Sequence, residues 1–199
     1  MKKSFTQILL HVLLISGLVI VVLPMLYMLS TSLKPNGALY EYPPKFLPAL
    51  DEITIENYVY ILGQGKFYIN FLNSVFVAVA SVVLTAVIAT ALAYVIARFK
   101  FPGKNILFGF IVLTMIVPGM TLIIPQYELA VKLKAINSLP GLIPFYVAWT
   151  ISYSTFMIKG FIENIPRELD EAIYIDGGSV FDVFRHVIIP LAKPGIASV

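Results

Sequence analysis

Residues 71–97 read FLNSVFVAVASVVLTAVIATALAYVIA. No Asp, Glu, Lys or Arg interrupts them, and the run exceeds the roughly 20 apolar residues that a helix needs to cross a hydrocarbon core. Three further segments have similar length and character: Ile8 to Leu29, Ile106 to Ile124 and Leu139 to Ile158. Four membrane spans are therefore expected. A fifth apolar run begins at Val187 and stops at Val199, too short to cross, which reads as a chain incomplete at its C-terminus. Of the 199 residues 59% are hydrophobic and only 13% charged, whereas soluble domains stay near half apolar and about a quarter charged. Mean hydropathy is +0.89. The expected fold is all-α: a polytopic membrane helical bundle forming one transmembrane domain over residues 1–199.

The net charge of +3 would suggest nucleic acid in a soluble protein, but in this chain it reads as topology. With the N-terminus inside, the cytoplasmic segments hold Lys2, Lys3, Arg98, Lys100, Lys104, Lys159, Arg167, Arg185 and Lys193. The external ones hold Lys34, Lys45, Lys66, Lys132 and Lys134, and nine plus five accounts for all 14 bases. The excess places the N-terminus in the cytoplasm, residues 30–70 outside and residues 159–186 inside. Lys2 and Lys3 precede the first apolar run as in a secretory signal. That run is too long for one and no small-residue cleavage site follows, so it reads as a retained anchor. His11 is expected at headgroup level rather than in a proton relay. In the external loop Pro35, Asn36 and Gly37 break the chain, Pro43, Pro44 and Pro48 favour an extended path, and Glu56-Asn57-Tyr58 opens a short helix.

The cytoplasmic stretch NIPRELDEAIYIDGGSVFDVFRHVIIPLAKP runs from Asn164 to Pro194. Pro166 suits the first turn of a helix with Asn164 or Ile165 at its cap, and Glu168, Asp170 and Glu171 suit the positive end of its dipole. Ile165, Leu169, Ala172 and Ile173 form a narrow apolar stripe. Gly177 and Gly178 stop this helix, expected over Pro166 to Ile175, and Ser179 with Asp182 makes a capping box that starts a second one. Pro190 and Pro194 limit the regularity of the return to the membrane. The result is a rigid two-helix knob. Its acids argue against a helix resting on headgroups, which favours Lys and Arg, and for a protein partner.

Glu171-Ala172, Gly177 six residues on, and Val187-Ile188-Ile189-Pro190 resemble the EAA loop of the permease subunits of bacterial ATP-binding-cassette importers. In that family the pattern is Glu-Ala-Ala, three residues, Gly, nine residues, Ile-x-Leu-Pro. Ile173 replaces the second alanine, Val187 the isoleucine and Ile189 the leucine, all apolar exchanges. Ile165-Pro166-Arg167-Glu168-Leu169 and Ile175-Asp176-Gly177 are also similar to family text. Ser32-Leu33-Lys34-Pro35, Tyr42-Pro43-Pro44, Phe71-Leu72-Asn73-Ser74, Ala93-Tyr94-Val95-Ile96-Ala97-Arg98 and Asn137-Ser138-Leu139-Pro140-Gly141 look like its maltose-type carbohydrate branch.

The resemblance implies a multi-pass subunit of the bacterial inner membrane with six spans in the family plan. A second permease subunit, ATPase subunits and an external solute-binding protein would be its partners, and a sugar-like solute its cargo. It implies that Arg167, Glu168, Glu171, Ala172, Asp176, Gly177 and Pro190 form the loop coupled to the ATPase. Glu171 could meet a base on that partner or cap the loop internally. No G-x-x-x-x-G-K-[ST] phosphate loop exists, since Gly103-Lys104 lacks both the upstream glycine and the following Ser or Thr, so this chain is not expected to be an enzyme. No metal, cofactor, nucleic acid or catalytic residue is called for. Without cysteine there is neither a disulfide framework nor a thiol nucleophile. A proton-coupled secondary transporter would need ionisable groups within the spans, and a membrane scaffold would give no reason for the acidic knob. Asn70, Asn73 and Ser74 could face a solute path or cap helices. Tyr94, Tyr127, Tyr146, Trp149 and Tyr153 could stack on a sugar or belong to interfacial belts and packing. No substrate-contacting residue is singled out.

Overall fold

A computed structural model of the chain describes residues 2–38, 42–43, 45–63 and 66–199, with side chains from Phe5 onward. Every regular element among them is helical: α1 Lys2–Ser32, α2 Glu56–Gly63, α3 Phe67–Arg98, α4 Lys104–Ile116, α5 Ile123–Lys132, α6 Leu139–Glu163, α7 Glu168–Ile175, α8 Val180–Val183 and α9 Ile189–Ala197. The chain divides into two compact units, Met1–Phe71 and Leu72–Val199.

In the first unit, α1 exposes leucine, isoleucine and valine all round its surface, from Ile8 to Leu29. A helix apolar on every side needs a lipid or protein surround. His11 turns its ring back on its own helix, with Nδ1 2.7 Å from the Gln7 carbonyl oxygen. The last carbonyls of α1 have no partner within the helix. Asn57 of α2 meets that need, its Nδ2 donating to the Ser32 oxygen at 3.1 Å and to that of Lys34 at 2.9 Å. The Thr54 amide donates to the Leu33 carbonyl at 2.9 Å, and the Ser32 and Tyr58 hydroxyls lie 2.6 Å apart. The Ser30 hydroxyl and the Lys34 ammonium donate to the carbonyls of Phe46 and Lys45. The short helix expected at Glu56 thus forms and is tied to the end of α1. Pro44, expected on the extended path, lies outside the described residues.

In the second unit α3 contributes nine buried residues. Val77, Ser81, Thr85, Ala89, Ala93 and Ala97 are buried at every fourth position, a stripe that winds slowly round the helix, while Val79, Val82, Val83 and Val87 stay exposed. Small side chains let backbones approach closely where the surround is as apolar as the core. Against the alanines pack Ile158 and Ile162 of α6 and Ala192 of α9. Hydroxyl pairs add polar bonds between helices: Thr85 and Thr150 lie 3.1 Å apart, and Thr114 donates to Ser152 at 2.7 Å.

The third expected span is corrected. Residues Ile106 to Ile124 are not one helix: α4 stops at Ile116, a 3-10 turn covers Gly119–Leu122, and α5 leaves at an angle of 97°. Pro118 has no N–H to continue the ladder and disfavours the helical region at Val117, whose ψ is 120°. Among the described residues α1, α3 and α6 are long and apolar enough to cross a membrane, and the bent pair makes a fourth only if taken as one span. Gly119 lies so close against Trp149 of α6 that a Cβ there would overlap the indole ring.

Gly119→Ala should therefore lower the thermal unfolding temperature of the detergent-solubilised protein, overpacking costing about 1–3 kcal/mol. Adding Trp149→Leu should recover most of the loss. Equal melting of Gly119→Ala and the parent protein would show that the break does not pack on α6.

Candidate functional site

The stretch after α6 builds a compact two-helix unit. Asn164 closes α6, its Nδ2 donating to the Gly160 carbonyl at 2.8 Å, so it is not the cap of the next helix. Pro166 also stays outside: α7 begins at Glu168 with Arg167 at its cap, two residues later than the sequence suggested. Glu168, Asp170 and Glu171 occupy its first turn, where carboxylates oppose the helix dipole. The helix ends as expected at the glycines. The Gly178 amide donates to the Ile173 carbonyl at 2.8 Å and that of Gly177 to Tyr174 at 3.1 Å, the paired bonds of a Schellman ending. Gly177 has φ +80°, a left-handed conformation that side chains with a Cβ resist.

Ser179 then opens α8 through a reciprocal capping box. Its hydroxyl accepts from the Asp182 amide, and the Asp182 carboxylate accepts from the Ser179 amide at 2.7 Å and its hydroxyl at 2.6 Å. These bonds, first to the hydroxyl and then to the backbone, hold the exposed Asp182 carboxyl below the usual aspartate range. Between α8 and α9, Phe184–Ile188 form a π-turn in which the Ile189 amide reaches back to the Phe184 carbonyl. That wider bond precedes Pro190, which cannot donate, so the helix loses its regularity there as expected, while the helical path resumes through Pro194 to Ala197.

The face that α7 turns inward differs from the expected apolar stripe. Leu169 and Ala172 are exposed, Ile165 and Asp170 are buried, and Ile173 is half-buried against the core. A carboxylate occupies the inner face because Arg98, at the end of α3, is there to meet it. Arg98 Nε lies 2.8 Å from Asp170 Oδ2, with 6% and 12% of the two side chains exposed. Arg98 also donates to the Ile165 carbonyl at 2.9 Å, and Arg167 donates in return to the Ala97 carbonyl at 3.3 Å. Tyr94 completes the seat: its ring meets Phe99 edge-on at 5.4 Å and lies 5.3 Å from Phe184, and its hydroxyl donates to the Val180 carbonyl at 3.3 Å.

Of the residues singled out in the sequence, Glu168, Glu171 and Ala172 share the outward face of α7 with Ile175, at spacings of three and four. Asp176 and Gly177 are exposed at the turn beyond it. Ile175 is 85% exposed. Arg167 is directed to α3, and Pro190 lies apart on α9. Sequence reasoning misses Arg98, Asp170 and Tyr94 as parts of one seat. Arg98 enters it only through topology, and Tyr94, a candidate for sugar stacking, instead belongs to the packing. Trp149 packs on Gly119, while Tyr127, Tyr146 and Tyr153 are exposed. Asn73, Ser74 and Tyr146 line a cavity of about 470 Å³ between α3 and α6 with Ser81, Thr85 and Thr150; Asn70 is exposed in the first unit. No cluster of His, Cys, Asp or Glu among the described residues could hold a metal ion.

The fold matches that of a chain of a bacterial ABC transporter that imports the acidic polysaccharide alginate, with a TM-score of 0.86 over 99% of this chain and 68% of that one, at 23% identity. Curated relatives include the diacetylchitobiose uptake permease NgcG of Streptomyces coelicolor, 34% identical over 95% of this chain and 62% of that protein. The trehalose transport permease SugB of Mycobacterium tuberculosis is 31% identical over 88% and 63%. The sn-glycerol-3-phosphate transport permease UgpE of Salmonella typhi is 30% identical over 94% and 68%. The chain thus spans about three fifths to two thirds of the length of these relatives. The family match covers residues 86–199, from within α3 through the whole two-helix unit, and the chain belongs to the binding-protein-dependent transport system inner membrane components.

Proposed function

We propose that this chain is the membrane subunit of an ATP-driven importer in the bacterial inner membrane, moving a sugar or a related polyol, and that residues 159–186 are where a separate ATPase subunit docks. One observation carries the docking surface: an isoleucine 85% exposed at the end of a helix whose outward face otherwise presents Glu168 and Glu171. An apolar side chain held in water by rigid turns on a charged knob fits a partner with an apolar socket rimmed by bases. Glu171 then serves the partner rather than an internal cap, beside Glu168, Ala172, Asp176 and Gly177. Arg167 and Pro190 support the loop from behind.

The cargo class rests on the relatives, whose names specify diacetylchitobiose, trehalose and sn-glycerol-3-phosphate, and on the alginate importer of the same fold. A second permease subunit would complete the path, and an external binding protein would deliver the solute to it. The N-terminus lies in the cytoplasm and residues 30–70 outside, with α4 and α5 together making one of four crossings. ATP is hydrolysed by the partner, whose movement on docking turns the permease pair between inward-open and outward-open forms.

Two substitutions test the docking surface in the permease expressed from its native locus. Ile175→Asp removes no internal packing, so membrane insertion and melting should stay unchanged. ATPase co-purification should fall at least tenfold, since burying such a side chain at an interface contributes about 1.5–3 kcal/mol. Undiminished co-purification would sink the docking assignment.

Gly177→Val acts through the backbone, because a β-branched residue is costly at φ +80°. The residue lies outside every apolar helix, so the permease should still insert. Solute-stimulated ATP turnover of the reconstituted complex should drop to the unstimulated level. Full stimulation would mean that the turn does not couple hydrolysis to uptake.

A further inference from the structure

The two-helix unit is joined covalently to α6 on one side and leads into α9 on the other, yet its polar contacts run to a third helix. Four bonds do so. Arg98 reaches Asp170 at 2.8 Å and the Ile165 carbonyl at 2.9 Å, Arg167 reaches the Ala97 carbonyl at 3.3 Å, and the Tyr94 hydroxyl reaches that of Val180 at 3.3 Å. The arginines are reciprocal: each guanidinium satisfies a backbone oxygen beside the other, and both lie at the negative end of α3, where cations are favoured. Around them the apolar seat is closed by Ala93, Ala97, Ile165 and Val183.

We infer that Arg98 and Asp170 are positioning residues that lock α7 to the inner end of α3, so that displacement of the knob enters the bundle through α3 and not through the Asn164–Arg167 link. This rests on the reading of the knob as the docking element. A well-packed buried ion pair resists partial opening, because separating the partners leaves each charge desolvated and unmet. A contact of that kind is made or broken, and does not stretch. The link to α6, by contrast, holds a non-helical proline and a helix cap and has no comparable side-chain tie to α6 beyond Asn164. α3 spans Phe67–Arg98, so a push on its last turn acts on one continuous rod.

Hydrogen exchange of the permease in lipid nanodiscs tests the lock without any ATPase. Asp170→Asn should speed exchange at least about tenfold in residues 93–98 as well as in 168–176, leaving 139–158 of α6 unchanged. Acceleration confined to 168–176 would overturn the inference. In the complex, Asp170→Asn should keep ATPase co-purification and basal hydrolysis but lose about tenfold in solute stimulation, and the reversed pair Arg98→Asp with Asp170→Arg should regain most of it. Unchanged stimulation in the single variant, or no recovery in the reversed pair, overturns the lock. Should Asp170→Asn fail to accumulate, the reversed pair decides: recovery of accumulation and coupling supports it, and recovery of neither sinks it. Absence of any ATPase on the unaltered permease would instead remove the importer reading while the exchange result stood.

Discussion

The ion pair between Arg98 and Asp170 is the interaction on which the two-helix end of the second unit depends. It forms where α3 ends, and there both the acid and the last carbonyls of α3 would otherwise be buried without partners. Two charges so enclosed stabilise the unit only when they stay close and are further bonded; here they lie 2.8 Å apart, the Arg98 guanidinium also donates to the Ile165 carbonyl, and Arg167 donates to that of Ala97. With Asp170 anchored, the helical repeat dictates the rest: Ile173 follows it inward, while Glu168, Glu171, Ala172 and Ile175 must face out. The composition of the outward surface is in that sense a by-product of one buried carboxylate.

Elsewhere the chain is built for a solvent that offers no hydrophobic drive between helices. Its large aliphatic side chains lie mostly on the outside and its alanines and hydroxyls inside, the reverse of a water-soluble bundle. α3 shows this along its length, with serine and threonine taking the same every-fourth positions as alanine. Small side chains there serve close approach, and Thr85 adds a hydroxyl bond to Thr150 that lipid cannot supply.

Much of this is legible in the sequence, for reasons that can be named. Length and apolarity identify α1, α3 and α6 because lipid imposes both. The glycine turn and the start of α8 are legible because Gly177-Gly178 and Ser179 with Asp182 act through local backbone chemistry. The break in the third segment is written in Val117-Pro118-Gly119, but an unbroken apolar run on either side conceals it. Asp170 cannot be read at all as inward-facing. In sequence it is one acid among several on a short helix, and what distinguishes it is a guanidinium brought near by the fold from 72 residues away. The same limit applies to Tyr94, whose partners Phe184 and Val180 come from the far side of the knob.

The bend between α4 and α5 bears on the lipid as well as on the protein. α4 has 13 residues and so rises only about 20 Å, some 10 Å short of a typical hydrocarbon core. Where that helix meets acyl chains, either the bilayer is pinched to its length or α5 lies along the boundary and shields the shortfall. The pinched arrangement would make the thickness of the surrounding leaflets a thermodynamic variable of this fold, each ångström of mismatch adding a fraction of a kcal/mol. Short-chain lipids would relax the pinch and long-chain or sterol-rich ones deepen it. In that arrangement the annulus beside α4 would act as a ligand of graded affinity, selected by acyl-chain length.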